Sequence, residues 1–334
     1  MDTNLQVQET SLAPGLKLRS TQWADLNSVA QLTLDVLTAD GDPTFAMSPE
    51  EVEREWKTPG FELERDTWVV ETAAGRIVGY EVFLEKHAHA SLMGDGYVHP
   101  EYRGRGVGTT LLRALDGRAR EEIRLAEPGL RVFLRNITSM RDTRARELHE
   151  NEGYQSIRFS WHMEIDLDQA PRSPVWPAGI ELRPFVLEAH NRAVFEADEE
   201  AFRDHWGHTP GTFEDWQHQV TGREDFDPSL WLIAWDGDEI AGYSLCRYRM
   251  GNGWVDALGV RRPWRKLGLG EALLLHSFAE FHQRGTRTIG LIVDSQNPSG
   301  ATRLYQKVGM HATAEFVYYE KELRPGRELE EHEE

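Results

Sequence analysis

The sequence predicts an α+β protein with two similar domains in tandem, each a mixed, mostly antiparallel sheet flanked by helices. Three observations support this prediction: the length of 334 residues, a set of short motifs that recurs once in the same order, and alternating strand and helix patterns within each copy. A chain of this length, with 40% hydrophobic residues, has enough apolar side chains for two cores.

The repeat consists of paired motifs whose separation drifts slowly along the chain. The matched segments are 15–19 with 179–183, 68–70 with 231–233, 79–80 with 242–243, and 103–108 with 265–270. The offset falls from 164 to 162 over these pairs, and to 156 between Leu148 and Leu304. Two homologous domains explain the common order and the drift with one assumption.

Proline marks the boundary between the copies. Residues 168–177 contain three prolines, which remove amide donors and stiffen the chain. We therefore predict a first domain over 1–168, a linker over 169–179, a second domain over 180–325 and an acidic tail over 326–334.

Charge and composition limit the possible partners. The net charge of −19 disfavours binding to nucleic acids and anionic membranes, and no apolar run approaches the roughly 20 residues that span a bilayer. The single cysteine, Cys246, lies in a strand-like run and is interpreted as a buried apolar residue. The first residues lack the features of a signal peptide, so a cytoplasmic location is expected.

The second copy has the clearer pattern. Its predicted elements are a strand at 182–185, a helix at 188–201, strands at 230–235, 240–248 and 254–260, a helix at 269–283, a strand at 288–293, a helix at 301–308, and a strand at 316–319 that closes the sheet. The first copy is expected to follow the same order.

A glycine-containing loop joins a strand to a helix in each copy. At a helix N-terminus the backbone N–H groups are unpaired and the helix dipole favours an anion. Glycine lets a phosphate approach closely, and we expect the arginine of the loop to add charge at its rim. The alternative for either copy alone is an ordinary glycine-rich turn, since short glycine patterns are common.

These motifs resemble the GNAT superfamily of acyl-CoA-dependent N-acyltransferases over nearly the whole chain, twice. The family's Gln/Arg-x-x-Gly-x-Gly/Ala signature is met by Arg103, Gly106 and Gly108, and again by Arg265, Gly268 and Gly270. A second signature is met only in the second copy, by Asn297, Ala301, Leu304, Tyr305 and Gly309.

The resemblance implies acetyl-CoA or another acyl-CoA as the acyl donor, and the residues themselves give no reason to expect a metal. In the second copy it implies donor contacts from Leu258, Val260, Arg265, Lys266, Leu267, Gly268, Leu269, Gly270 and Asn297. In the first copy it implies donor contacts from Val98, Arg103, Gly104, Arg105, Gly106, Val107 and Gly108. The histidine pairs 87/89 and 205/208 lack further ligands at a metal-binding spacing.

The chemistry is expected in the second copy, with a small-molecule primary amine as acceptor. By resemblance, Tyr305 is the general acid that protonates the leaving thiolate, and the alternative for Tyr305 is aromatic packing. Asp256 is a candidate acceptor of the amine proton, and its alternative is a salt-bridged strand carboxylate. Further candidates for holding a cationic acceptor are Glu199, Glu200, Asp204, His205 and Trp206, and the alternative is that they form an exposed acidic helix end.

The first copy departs from this pattern, because its pair is Leu148-His149 and the tyrosine is missing. This copy is expected to bind acyl-CoA without turnover, to use His149 as a replacement acid, or to be purely structural. For the whole chain the rival hypotheses are an acyl-CoA-binding sensor or scaffold and an acetyltransferase for protein N-termini. The sequence leaves the oligomeric state open.

Overall fold

The computed structural model describes residues 12–208, 211–223, 225–297 and 299–328. Its contacts form two compact units. Unit 1 lies within Met1–Arg158 and Phe316–Glu330, and the described part of unit 2 lies within Phe159–Glu315.

Each half of the chain has the predicted order of strand, helical segment, three strands, helix, strand, helix and strand. In chain order they are β1 (Leu16–Ser20), α1 (Leu26–Asp40), α2 (Pro49–Trp56), α3 (Leu63–Asp66), β2 (Thr67–Thr72), β3 (Ile77–His87), β4 (Ser91–Val98), α4 (Val107–Glu122), β5 (Val132–Ser139), α5 (Thr143–Asn151), β6 (Gln155–Asp166), β7 (Ile180–Pro184), α6 (Leu187–Phe202), α7 (Phe213–Trp216), β8 (Trp231–Asp236), β9 (Glu239–Arg249), β10 (Asn252–Val260), α8 (Leu269–Gln283), β11 (Thr288–Asp294), α9 (Ala301–Lys307) and β12 (His311–Arg324).

In unit 1 the sheet has the strand order β1-β2-β3-β4-β5-β12. Its neighbours are antiparallel except for β4 and β5, which run parallel. In unit 2 the order is β7-β8-β9-β10-β11-β6, and the parallel pair is β10 and β11. Each unit is therefore the mixed, mostly antiparallel sheet with flanking helices that the sequence predicts.

The two sheets exchange one strand each. The final strand of each sequence copy pairs with the sheet of the other copy. Residues 160–166 of β6 pair with β11 in unit 2, whereas residues 316–324 of β12 pair with β5 in unit 1. We expected residues 316–319 to close the second sheet, and this is corrected by their register, Phe316↔Ser139 to Tyr319↔Asn136. Apolar alternation identifies a strand but does not select its partner, because pairing is decided by long-range packing.

The boundary predicted at residues 168–180 therefore stays a prediction about the sequence repeat, since the compact units divide the chain elsewhere. Residues 167–179 form no helix or strand. Within this segment Trp176 packs edge-on to His276 of α8, with ring centroids 5.8 Å apart. Of the predicted acidic tail, 329–334 lies outside the described residues.

Helices cover both faces of the sheet in unit 2. On one face α8 buries Leu273, Leu274 and Phe278 against the strands. On the other face α6 buries Val194, Ala197 and Ala201 at helical spacing. The loop after β10 and the region around α7 consequently flank the same strand, β10, from opposite sides.

Candidate active site

The two parallel strands of unit 2 separate soon after they begin to pair. Among the described residues, β10 and β11 are paired only at Gly253↔Ile289 and Trp254↔Gly290. Farther along, β10 continues to pair with β9 as far as Val260. The opposite edge of β10 is thus left without a strand partner, and its backbone groups are available to an extended ligand.

The loop that follows β10 has the backbone of an anion-binding turn. Lys266 and Gly268 have φ of 65° and 87°, and α8 begins at the next residue, Leu269. In unit 1, Gly104 and Gly106 have φ of 76° and 80° immediately before α4. Alternating left-handed residues turn successive N–H groups toward one side of the loop. Lys266 holds this conformation without being glycine, which is a strained choice typical of a functional loop.

The loop arginines are held by the protein. In unit 2, the Arg265 guanidinium donates to the carbonyl oxygens of Val260 (3.0 Å) and Ala201 (3.1 Å). In unit 1, Arg103 pairs with Asp40 (3.0 Å) and Asp142 (3.2 Å). Both arginines thus hold their loops against neighbouring elements. The charge that they are expected to add at the rim stays a prediction.

Exposure divides the other loop residues into two groups. Lys266, Leu267 and Gly268 are exposed, whereas Leu269 is buried as the first residue of α8. In unit 1, Gly104 and Arg105 are exposed, and Gly106 and Val107 are buried. Arg105 lies over the ring of Tyr102, 4.9 Å from its centroid.

Three elements converge at the start of α8. A Cβ added to Gly270 would lie 3.4 Å from Leu304 of α9 and 3.5 Å from Val260 of β10. In unit 1, a Cβ on Gly108 would similarly lie 3.1 Å from Leu148 and 3.6 Å from Val98. Leu258 also packs against the α8 face. The structure thus brings together the predicted loop, strand and α9 residues.

Tyr305 lies on α9 and is 7% exposed. Burial raises the pKa of its phenol to about 12, so the phenol is protonated at neutral pH. Within the described part of the chain, no residue hydrogen-bonds to this hydroxyl, which keeps its proton available for donation.

Asn297 closes the turn that precedes α9. Its side-chain oxygen accepts hydrogen bonds from the amide (2.8 Å) and hydroxyl (2.5 Å) of Ser299. Gly300, with φ of 79°, follows as the N-cap of α9. The described contacts of the Asn297 side chain therefore shape the approach to α9.

A cavity of about 300 Å³ opens on the α6 face of β10. Its floor includes Asp256, an extra residue in a β-bulge between Val255 and Ala257. The remaining lining residues are Asp198, Trp216, Gln219, Val220, Arg223, Asp225, Phe226, Asp227, Trp231, Leu245, Cys246, Arg247 and Ala257. The Asp256 side chain is 40% exposed and pairs with Arg247 at 2.8 Å.

Asp198 was missed by sequence reasoning. It accepts a 2.7 Å hydrogen bond from the Tyr243 hydroxyl, and burial raises the pKa of its carboxyl to about 6. Asp198 lies four residues after Val194 and three before Ala201, which places it on the buried face of α6. An acidic residue at this helical spacing is the sequence signal that could have identified it.

The acidic residues proposed from the segment 199–206 serve mainly to hold the loop after β10. Glu200 pairs with Arg261 at 2.6 Å, and Asp204 pairs with Arg262 at 2.7 Å. Neither Glu200 nor Asp204 lines the cavity. Sequence position alone could not distinguish these helix-end residues from Asp198, since all of them lie within two turns.

His149 occupies the position in unit 1 that corresponds to Tyr305. Its Nδ1 donates to the carbonyl oxygen of Ala145 at 2.7 Å, and burial lowers the pKa of the imidazole. The ring is therefore neutral at pH 7, with the proton on Nδ1 already engaged. This geometry does not favour the replacement-acid hypothesis.

Two further structural observations concern only the residues described above. In that part of the chain, no group of three or more His, Cys, Asp or Glu side chains has an arrangement suited to a metal ion. The same residues include no helix with the length and apolar character needed to cross a bilayer.

Comparison with known proteins agrees with this geometry. The Acetyltransferase (GNAT) family model matches residues 191–310, and an Acetyltransferase (GNAT) domain model matches residues 64–156. A mycothiol acetyltransferase from Nocardiopsis dassonvillei is 30% identical over 262 residues, which cover 70% of this chain and 76% of that protein.

Solved structures give the same result. A GCN5-related N-acetyltransferase from Sphaerobacter thermophilus is 38% identical, with a TM-score of 0.81 and coverage of 96% of this chain and 99% of that one. A tandem GNAT protein from the clavulanic acid biosynthesis pathway has the same fold at 20% identity, with a TM-score of 0.67 and coverage of 93% and 100%.

The chain therefore belongs to the GNAT family of acetyltransferases, with two GNAT domains in tandem. It is an acetyl-CoA-dependent N-acetyltransferase, and its tandem arrangement is shared with the tandem GNAT protein from the clavulanic acid biosynthesis pathway.

Proposed function

We propose that acetyl transfer takes place in unit 2, to a primary amine of a small molecule, and that unit 1 binds donor without turnover. The observation that carries this proposal is the pair Tyr305 and His149. Tyr305 has a buried, protonated hydroxyl that no described residue engages, whereas His149 uses its Nδ1 proton within its own helix.

Donor binding in unit 2 is assigned to the loop and the free edge of β10. The N–H groups between Arg265 and Gly270 receive the pyrophosphate at the start of α8. The backbone of Leu258 and Val260 pairs with the pantetheine arm, and Asn297 lies beside the same arm. The loop 103–108 with Val98 performs the equivalent task in unit 1, because its backbone has the same alternation of φ angles.

In unit 2, Tyr305 protonates the thiolate as the thioester C–S bond breaks. A phenol whose pKa is about 12 stays protonated at pH 7, so its proton is present when the thioester C–S bond breaks. A backbone N–H on the free edge of β10 stabilises the oxyanion. These roles need Tyr305 and β10 on the donor side, which agrees with the packing of Leu304 and Val260 around Gly270.

The cavity on the α6 face is the proposed acceptor site. Its charged groups are four aspartates and two arginines, so an ammonium group is favoured over an anion. The rings of Trp216 and Trp231 meet edge to face at 5.8 Å and provide an apolar wall for the rest of the acceptor. Asp256, which also lines the cavity, either orients Arg247 or relays the amine proton through water. The similarity to a relative named mycothiol acetyltransferase supports a small molecule as the acceptor.

Tyr305→Phe tests the proposal, with Tyr248→Phe as the matched control. Tyr248 also lies in unit 2, and among the described residues its hydroxyl has a single 3.5 Å contact, with Thr286. Free CoA is measured chromatographically with S-methylcysteinamide, glucosamine and tryptamine as acceptors, and acetyl-CoA binding is measured by calorimetry.

We expect Tyr305→Phe to lower kcat by about 10²–10⁴-fold while acetyl-CoA binding is retained. Tyr248→Phe should keep both. Acetyl-CoA binding by the wild type without turnover of any amine would instead support the sensor hypothesis, and an unchanged kcat in Tyr305→Phe would remove the acid role.

A further inference from the structure

We propose that Asp198 accepts the proton of the acceptor amine in unit 2, and that Tyr243 is its positioning residue. This inference rests on the proposed function and identifies a group that the sequence did not indicate. It assigns the two proton transfers to opposite faces of β10, with Asp198 on the α6 face and Tyr305 on the α8 face.

Two contacts place Asp198 beside the reacting segment of β10. Tyr243 and Gly259 are directly paired in the sheet, and a Cβ added to Gly259 would lie 2.1 Å from the Tyr243 hydroxyl oxygen. The tyrosine ring therefore lies directly over Gly259, and its hydroxyl donates to Asp198 at 2.7 Å. Gly259 stands between Leu258 and Val260, the residues assigned to the donor arm.

The carboxylate of Asp198 has capacity for a further partner. It lines the cavity, and the described residues supply it with one hydrogen bond, to Oδ1 from Tyr243. Asp256 differs, because its two oxygens lie 3.0 Å and 2.8 Å from the Arg247 guanidinium. The Asp256 oxygens are therefore already engaged by a cation, whereas Asp198 is bonded to a neutral hydroxyl.

The charges around Asp198 suit a base that works near neutral pH. Burial raises the pKa of its carboxyl to about 6, the hydrogen bond from Tyr243 lowers it, and Glu199 and His208 act in opposite directions. The other charged groups of the cavity are Arg223, Asp225, Asp227, Arg247 and Asp256. Above pH 6 the carboxylate is ionised and can attract an ammonium group before it removes a proton.

The transfer balances with groups already present. The bound ammonium group first releases one proton to water, which gives the nitrogen a lone pair. The neutral amine nitrogen then forms its bond to the acetyl carbon as the thioester C–S bond breaks, and the departing thiolate takes the Tyr305 proton. The surplus proton on nitrogen passes to Asp198. Exchange with water then returns Asp198 to its ionised form and Tyr305 to its protonated form.

Unit 1 has the corresponding tyrosine with a different partner. Tyr80, which matches Tyr243 in the repeat, accepts a 3.0 Å hydrogen bond from the indole of Trp56. The tyrosine–carboxylate pair is thus a feature of unit 2, where we place turnover.

The test measures kcat/KM against pH for the full chain with S-methylcysteinamide, glucosamine and tryptamine. The variants are Asp198→Asn, Tyr243→Phe and Asp256→Asn, and Glu196→Gln is the matched control because Glu196 is an exposed carboxylate on the same helix. Acetyl-CoA affinity and thermal unfolding are measured for each variant.

We expect Asp198→Asn to lower kcat/KM by about 10²–10⁴-fold at pH 7 with unchanged acetyl-CoA affinity. Tyr243→Phe removes the hydrogen bond that lowers the Asp198 pKa, so the acidic limb of its profile should move to higher pH. This shift is independent of whether Asp198→Asn folds, and a merely structural Asp198 would not produce it. Glu196→Gln should keep the wild-type profile.

Wild-type kcat/KM in Asp198→Asn, an unmoved limb in Tyr243→Phe, or loss of the limb in Asp256→Asn alone would each overturn the assignment. If Tyr305→Phe is still inactive in those cases, the proposed function stands and only the Asp198 assignment fails. Absence of wild-type turnover with all three amines would overturn both.

Discussion

The imidazole of His149 stacks on the ring of Tyr319 in unit 1, with centroids 5.0 Å apart and 10° between the planes. A second ring, that of Tyr154, meets His149 edge to face at 5.3 Å. Together with the bond to Ala145, these contacts make His149 part of the packing around α5. Its position in the repeat matches a catalytic candidate, but its surroundings match a structural residue.

We therefore expect His149→Ala to destabilise the protein by about 1–3 kcal/mol through lost ring contacts. Turnover per folded molecule should be unchanged, because the reaction is assigned to unit 2. Urea unfolding measures the stability and an activity assay on the same preparation measures kcat. Tyr305→Phe is the comparison variant, because it should lower kcat and keep the stability. Loss of kcat at wild-type stability would contradict the structural role.

The same histidine predicts a pH dependence of stability. Burial lowers its pKa in the folded state below the ordinary value of about 6.5, so the unfolded chain binds more protons as the pH falls through that value. The His149 contribution to the free energy of unfolding should be complete above pH 6.5 and decline below it. His149→Phe should remove this part of the acid sensitivity, which unfolding curves between pH 5 and pH 8 can measure. Identical pH slopes for both proteins would argue against it.

Blocking each glycine loop should remove one acetyl-CoA site. Calorimetry should find two sites in the wild type, with Gly268→Glu losing that of unit 2 and Gly106→Glu that of unit 1, because the new carboxylate repels phosphate. Gly285→Glu and Gly129→Glu are matched controls with φ of 88° and 86° and no atom near an added Cβ. These controls share the backbone strain but lie away from the loops, and should keep both sites. A wild type without any site would remove the loop assignments.

Arg118 of α4 should be one of the larger single contributors to the stability of unit 1. Its side chain is 8% exposed, donates to Asp66 at 2.8 Å and pairs with Glu122. Arg118→Leu leaves the buried Asp66 without its cation and leaves Glu122 with the 2.6 Å contact to His89, so we expect a loss of about 3–5 kcal/mol. Arg113 lies on the same helix as Arg118 and makes an exposed pair with Glu152, which follows α5. Arg113→Leu breaks this pair and should cost less than about 1 kcal/mol. Equal losses by urea unfolding would refute the difference.

Cys246 should be unreactive in the folded protein. It is 2% exposed, and burial raises the pKa of its thiol to about 11, so little thiolate exists at pH 8. A colorimetric disulfide reagent should detect no thiol in native buffer and one equivalent in urea, since the chain has a single cysteine. Rapid labelling of the native protein would show that the strand opens.

The bounds of helices were predicted closely where apolar residues recur at regular helical spacing. The helix predicted at 269–283 is α8, Leu269–Gln283, and the helix predicted at 188–201 is α6 extended by one residue at each end. Both have apolar residues at regular helical spacing and recognisable neighbours in the chain. The π-helical turn at Gln217–Thr221, after α7, was not predicted, because its sequence has no periodic apolar signal.

By itself the sequence determined the repeat, the GNAT motifs, the strand-to-helix loops and the position of Tyr305, because each depends on residues that are close in the chain. Only the tertiary structure decided which sheet receives each final strand and which atoms the loop arginines bind. It also brought Asp198, Tyr243 and Gly259 together, although α6, β9 and β10 are separate elements in the sequence. Such contacts depend on packing between distant segments, and no local pattern encodes the distance between two side chains that only the folded sheet brings into contact.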